Sequence, residues 1–131
     1  MSVRFGYTIL YVPDVAAAIA FYENAFGLSR RFVHDSGLYA ELDTGATTLS
    51  FAHESMAESN GFAIRANRAA DVAAAFEVAL VCDEPRAVYD RALGAGATPV
   101  KPPAQKPWGQ LVGYVRDPNG CLVELCSAMG G

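Results

Sequence analysis

Two carboxylates draw attention because of their surroundings. Glu77 lies in the run AFEVALVC (75–82) and Glu124 in CLVELCS (121–127), each acid set among apolar residues at strand-like spacing. Glu41, in LYAELD (38–43), is a weaker third of the same kind. Such acids can act as an acid/base pair or receive the cationic group of a ligand, and two side by side repel, which raises one pKa. Other chemistry is scarce. The chain has two histidines, His34 and His53, and three cysteines, Cys82, Cys121 and Cys126, with no CxxC pair. Neither a zinc knuckle nor a disulfide framework is indicated, and the thiols read as free and buried in a reducing cytoplasm. No nucleophile elbow, P-loop or dinucleotide fingerprint occurs, since Gly94-Ala95-Gly96 follows a helix pattern instead of preceding one.

The elements that must position these groups fit one modest domain. Of 131 residues, 52% are hydrophobic and 18% charged, which predicts a folded core. A net charge of −4 argues against nucleic-acid binding, which needs clustered Lys and Arg. No apolar run is long enough for a membrane span. The opening MSVRFGYTIL passes straight into a strand pattern, so export is not expected and a cytoplasmic location is.

Residues 5–12 predict a strand, and Asp14 an N-cap for a helix over 15–26 that buries Val15, Ala18, Ile19, Tyr22 and Phe26 and stops at Gly27. Strands follow at 29–35, 38–43 and 47–53. Residues 54–74 read as a linker with one helical turn at 69–74. The order then repeats: a strand at 75–82, and Asp83 capping a helix over 85–94 with Ala87, Val88 and Leu93 inward. A strand starts at 98–101, a Pro-rich loop covers 102–108, and strands at 110–116 and 121–127 flank the turn Asp117-Pro118-Asn119-Gly120. YTILYVPD aligns with EVALVCDE, FYENAFG with VYDRALG, and DTGATTLSF with DPNGCLVEL. The expectation is one domain over 1–131, made of module 1–60, linker 61–74 and module 75–131.

Over essentially its whole length the chain resembles the vicinal oxygen chelate superfamily, also called the glyoxalase/bleomycin resistance/dioxygenase superfamily. The carriers are YTILYVPDVAAAIAFYENAFGL, AFEVALVCD with ALGAGA, and PWGQLVGYVRDPNGCLVEL. The resemblance implies an α+β fold of two βαβββ modules, forming a curved mixed sheet with a concave cleft, commonly in a homodimer. It also implies chemistries from lactoylglutathione lyase and extradiol dioxygenases to proteins that simply bind an antibiotic. Metal-using relatives place ligands on the first and last strand of each module.

Strand parity then assigns faces. Tyr7, Ile9, Tyr11, Ser50 and Ala52 face the cleft in the first module, with Tyr39 and Glu41 opposite the core face of their strand. Glu77, Ala79, Leu122, Glu124 and Cys126 face it in the second. Tyr7 and Ser50 stand where metal ligands are implied, so only Glu77 and Glu124 remain as strong donors. His53 shares parity with Leu49 and Phe51, and His34 lies on a strand that supplies no ligands. Catalytic roles fall to Glu77 and Glu124, and ligand contacts to the aromatic and small residues with Trp108 as a lid. No resident cofactor is expected; if a divalent metal binds, those two carboxylates would hold it. The leading expectation is metal-independent binding of a hydrophobic or aromatic organic molecule, as in drug sequestration. The rivals are a metal-dependent lyase, isomerase or dioxygenase, and a domain whose main role is dimerisation.

Overall fold

In the computed structural model, which describes residues 1–129, the element order is β1 (Tyr7–Val12), α1 (Val15–Phe26), β2 (Ser29–Val33), β3 (Tyr39–Asp43), β4 (Thr48–His53), α2 (Ser55–Ser59), β5 (Glu77–Val81), α3 (Pro85–Gly94), β6 (Thr98–Gln105), β7 (Leu111–Arg116) and β8 (Leu122–Cys126). Two four-stranded mixed sheets result, with strand orders β1-β4-β3-β2 and β5-β8-β7-β6. In each, the first and last strands of a βαβββ unit pair in parallel and the other pairs are antiparallel. The described residues divide into two compact units, residues 1–23 with 27–66, and residues 24–26 with those from 67 onward. Among the described residues no helix is long and apolar enough to cross a membrane.

Local chemistry explains the first unit. Asp14 sits in extended backbone, and its carboxylate accepts the Ala17 N–H at 3.0 Å. Gly27 closes α1 in the left-handed region (φ 68°), returning its N–H to the Glu23 carbonyl. Ile19, Tyr22 and Ala25 are buried on the inward stripe, and Tyr22 meets Phe51 of β4 at 5.1 Å between ring centroids. That contact fixes which face of the first sheet is core. The predicted strand at 29–35 ends at Val33 and carries a bulge: Arg30 pairs with Leu42 and Phe32 with Glu41, leaving Arg31 as the extra residue. The helical turn falls at 55–59, not 69–74.

The second unit departs from expectation in three places. Asp83 does not cap α3. Glu84 holds that position without a side-chain bond, because Pro85 opens the helix with its φ preset and no N–H to satisfy. The inward stripe is Pro85, Tyr89 and Ala92, while Ala87 is exposed and Val88 and Leu93 are half-buried. The Pro-rich segment is not a loop from 102 onward, since β6 continues through Pro102 and Pro103 to Gln105. As an edge strand, β6 needs no ladder N–H on its outer side. Gly113 opposite makes room, because a Cβ there would lie 2.8 Å from Pro103.

The Asp117–Gly120 turn forms as expected. The Asp117 carboxylate accepts N–H bonds from Asn119 and Cys121 at 2.9 Å each. Arg116 beside it donates to the carbonyls of Gly120 and Asp71 at 2.8 Å and of Ala69 at 3.2 Å, pinning residues 69–71 to the sheet.

Candidate functional sheet faces

In the first unit the register sets Ile9, Ser50, Glu41 and Phe32 in one row across the sheet, with Tyr11, Ala52 and Tyr39 in the next. Tyr7 and Ile9 are 55% and 42% exposed, large apolar surface that a folded strand has reason to cover. Glu41, Ser50 and Ala52 are buried. The Tyr39 hydroxyl donates to Glu41 Oε2 at 2.8 Å and lies 3.1 Å from Ser50 Oγ. Arg31 Nη1 donates to Glu41 Oε1 at 3.4 Å, and its other terminal nitrogen lies 3.7 Å from Asp43. The Tyr39 phenol is pushed up by burial, and the Glu41 hydrogen bond and charge add to this, while Ser50 opposes it by donating to the phenolate. Tyr11 meets Phe62 edge-on at 6.3 Å, beside an open depression of about 470 Å³ that Glu54, Ala57, Glu58 and Ile64 also line.

The equivalent row of the second unit is Ala79, Glu124, Tyr114 and Lys101. Glu77 lies diagonally from Glu124 on the same face. Burial raises the Glu77 pKa first, and the hydrogen bond and charge of Glu124 raise it further. Tyr114 is raised by burial and then by the charges of Glu124 and Glu77. Burial together with Glu124 pushes the Cys126 thiol up to about 11, so it is a protonated donor at neutral pH and no nucleophile. Cys121 is pushed up to about 12, chiefly by burial.

The structure thus brings Glu77, Ala79, Glu124 and Cys126 together on one face, and Tyr7, Ile9, Tyr11, Tyr39, Glu41, Ser50 and Ala52 on another. Trp108 lies outside the strands. It stands 57% exposed on the turn between β6 and β7, its indole N–H donating to Gln110 at 2.8 Å. Sequence parity missed Tyr114, although its spacing from the Asp117 turn puts it opposite Glu124. It also missed Arg31 and Phe32, and there no spacing signal existed, because a bulge breaks the alternation.

Both histidines have the same local job. The Nδ1 of His34 accepts the Ser36 N–H at 3.1 Å and lies 2.9 Å from its hydroxyl, and His53 repeats this with Ser55 at 3.1 and 2.7 Å. Among the described residues no three His, Cys, Asp or Glu side chains gather closely enough to hold a metal. A divalent ion needs three or four strong donors, and neither set fits it alone: the first sheet face offers the Tyr7 phenol, the fully buried Ser50 hydroxyl and one carboxylate, Glu41, and the second offers two carboxylates, Glu77 and Glu124.

Two four-stranded mixed sheets, each from a βαβββ unit, define a glyoxalase-type α+β protein. The chain belongs to the Glyoxalase/Bleomycin resistance protein/Dioxygenase superfamily, whose family model matches residues 4–125. Among solved structures it is similar to a glyoxalase-related enzyme from Fulvimarina pelagi, at 21% identity and TM-score 0.82 over 97% of this chain and 89% of that one. A glyoxalase/bleomycin resistance protein/dioxygenase family enzyme from Burkholderia phytofirmans PsJN matches at 19% identity and TM-score 0.75, over 97% and 100%. A superfamily member from Sphaerobacter thermophilus matches at 20% and 0.72, over 97% and 98%. None of the curated proteins matches the chain. At such identities these likenesses speak for the fold alone.

Proposed function

We propose that this chain is a cytoplasmic, homodimeric binder of a planar, aromatic, partly cationic organic molecule, acting without a metal in the manner of the drug-sequestering members of its superfamily. The observation that carries the reading is the second sheet face, where the Glu77 and Glu124 carboxyls lie diagonal to each other and the Tyr114 ring stands in the row beside Glu124. Glu77 and Glu124 offer negative charge and acceptor oxygens to a cation, and the Tyr114 ring on the same face offers stacking and cation–π contact.

The test joins two measurements. Metal analysis by mass spectrometry on protein purified without chelator, with a thermal-shift series in Ni²⁺, Zn²⁺, Mn²⁺ and Fe²⁺, is expected to give substoichiometric metal and no stabilisation. Calorimetric titration with planar organic cations is expected to show saturable binding that weakens in Glu124→Gln. A stoichiometric metal with turnover of the hemithioacetal of glutathione and methylglyoxal would overturn this in favour of a lactoylglutathione-lyase type enzyme. Light scattering at micromolar concentration is expected to give about twice the 13.9 kDa chain mass.

A further inference from the structure

The bulge in β2 has a chemical consequence. Because Arg31 is the extra residue and Phe32 pairs directly with Glu41, two successive side chains of β2 meet groups of the candidate face where strict alternation would allow one. Phe32 packs against Tyr39 at 6.0 Å between ring centroids, and Arg31 reaches Glu41 at 3.4 Å. Glu41 is 7% exposed and Ser50 is 0% exposed, so the Arg31–Glu41–Tyr39–Ser50 chain runs from an open guanidinium to a closed floor.

A phenol has one proton. The 2.8 Å bond to a carboxylate is the stronger of the two that Tyr39 makes, so the proton lies on the Glu41 side. The 3.1 Å bond to Ser50 is then donated by Ser50. The phenol oxygen is left an acceptor and has no proton to give. Resting on the proposed binding function, we infer that Arg31 is a positioning residue of the first sheet face: by pairing with Glu41 Oε1 it holds the carboxylate whose Oε2 takes the Tyr39 proton, so that this face selects ligands presenting N–H donors over ligands presenting acceptors. Without Arg31 nothing on β2 holds that carboxylate in place. A carboxylate that swings away no longer takes the Tyr39 proton, which then turns outward.

The charged and titratable groups near Tyr39 are Arg31 on β2, Glu41 and Asp43 on β3 and Tyr7 on β1. Tyrosine labelled with ¹³C at Cζ reads this without any ligand. The Tyr39 resonance, identified by its loss in Tyr39→Phe, is expected to titrate above an ordinary phenol. It should fall in Glu41→Gln and in Arg31→Gln alike, because each removes the Glu41 contact that raises it, and return in Arg31→Lys. An unchanged midpoint in Arg31→Gln, or a fall that Arg31→Lys does not restore, overturns the inference. A second arm compares proflavine, a planar cation with amino N–H donors, with acridine orange, in which those amines are methylated. The wild type is expected to prefer proflavine by about tenfold and Arg31→Gln to lose that preference. Equal affinity of the wild type for both dyes overturns the donor selection. If neither dye binds, that counts against the proposed function, and the Tyr39 titration alone decides the role of Arg31.

Discussion

The two βαβββ units use one backbone plan to hold acids in two ways. The row Ile9–Ser50–Glu41–Phe32 of the first is matched in register by Ala79–Glu124–Tyr114–Lys101 of the second. In the first the acid lies on the third strand, one bond from Arg31, with a tyrosine donating to it. In the second the acid lies on the last strand, diagonal to another acid, Glu77, whose pKa is raised by burial and then by Glu124. Equivalent rows therefore carry an ion-paired carboxylate on the third strand in one unit and an acid beside a second acid on the last strand in the other. Position in a fold sets which groups meet, while the chemistry depends on what the neighbouring strands bring.

The strongest way to sharpen the comparison is through the cores. Phe51 and Leu125 hold equivalent places and both are 0% exposed, but Phe51 also stacks on Tyr22. Phe51→Ala is expected to cost about 4 kcal/mol and Leu125→Ala about 3 kcal/mol, measured by urea unfolding. Equal or reversed costs would show that the Tyr22 contact adds nothing to the first unit.

Next come the turns before the last strands. Gly45 and Gly120 both have positive φ, at 86° and 88°. Nothing lies within 4 Å of a Cβ at Gly45, whereas one at Gly120 would come to 2.5 Å from Arg116 Nη2 and 2.6 Å from the Arg68 carbonyl. Gly45→Ala is expected to cost about 1 kcal/mol from backbone strain, and Gly120→Ala a further 1 to 2 kcal/mol, roughly. The second variant should also speed hydrogen exchange at residues 68–71, which Arg116 pins. Equal costs would mean that the Arg116 clamp yields freely.

Much of this was legible in the sequence for a plain reason. Helix stops, caps and turn residues act locally, so Asp14, Gly27 and the Asp117–Gly120 turn declared themselves, and the alternation in EVALV and LVELC put Glu77 and Glu124 on one face. What was not legible depended on contacts between strands. The bulge at Arg31 and the passage of β6 through Pro102 and Pro103 are made possible by their partner strands, the latter by Gly113 across the ladder. The Tyr39–Glu41–Ser50 network needed the register of β3 on β4, which no spacing within either segment reveals. Asp83 was misread because a favourable cap residue competes with Pro85 one position later, and the proline determines where the helix begins.

A smaller effect is expected from the thiols. At pH 7.5 iodoacetamide should leave Cys121 and Cys126 unmodified in the native protein, since burial and, for Cys126, Glu124 hold both as thiols. Peptide mapping before and after unfolding checks this. Rapid native labelling of Cys126 would mean that the second face is more open and less acidic than described.

The smallest effect separates the two acids most directly. Glu77 has its pKa raised in the folded chain, so its contribution to stability is fully present below the unfolded value, near 4.5, and is lost as pH rises through the folded value. Ionising both members of the pair puts two negative charges against each other, so at neutral pH Glu77 works against folding. Glu77→Gln removes the repulsion while keeping a hydrogen-bonding group at the same place. Its melting temperature at pH 7 should therefore rise slightly, and the decline of stability above pH 4.5 should flatten. The exposure of Glu77 to solvent keeps the change small. Glu41→Gln is expected to do the opposite and lower the melting temperature at pH 7, because it discards the partner of Arg31 and the charge that draws the Tyr39 proton. Thermal melts of both variants from pH 4 to 8 would read the contrast, and the same sign for both would show that the two units do not differ in how they hold their acids.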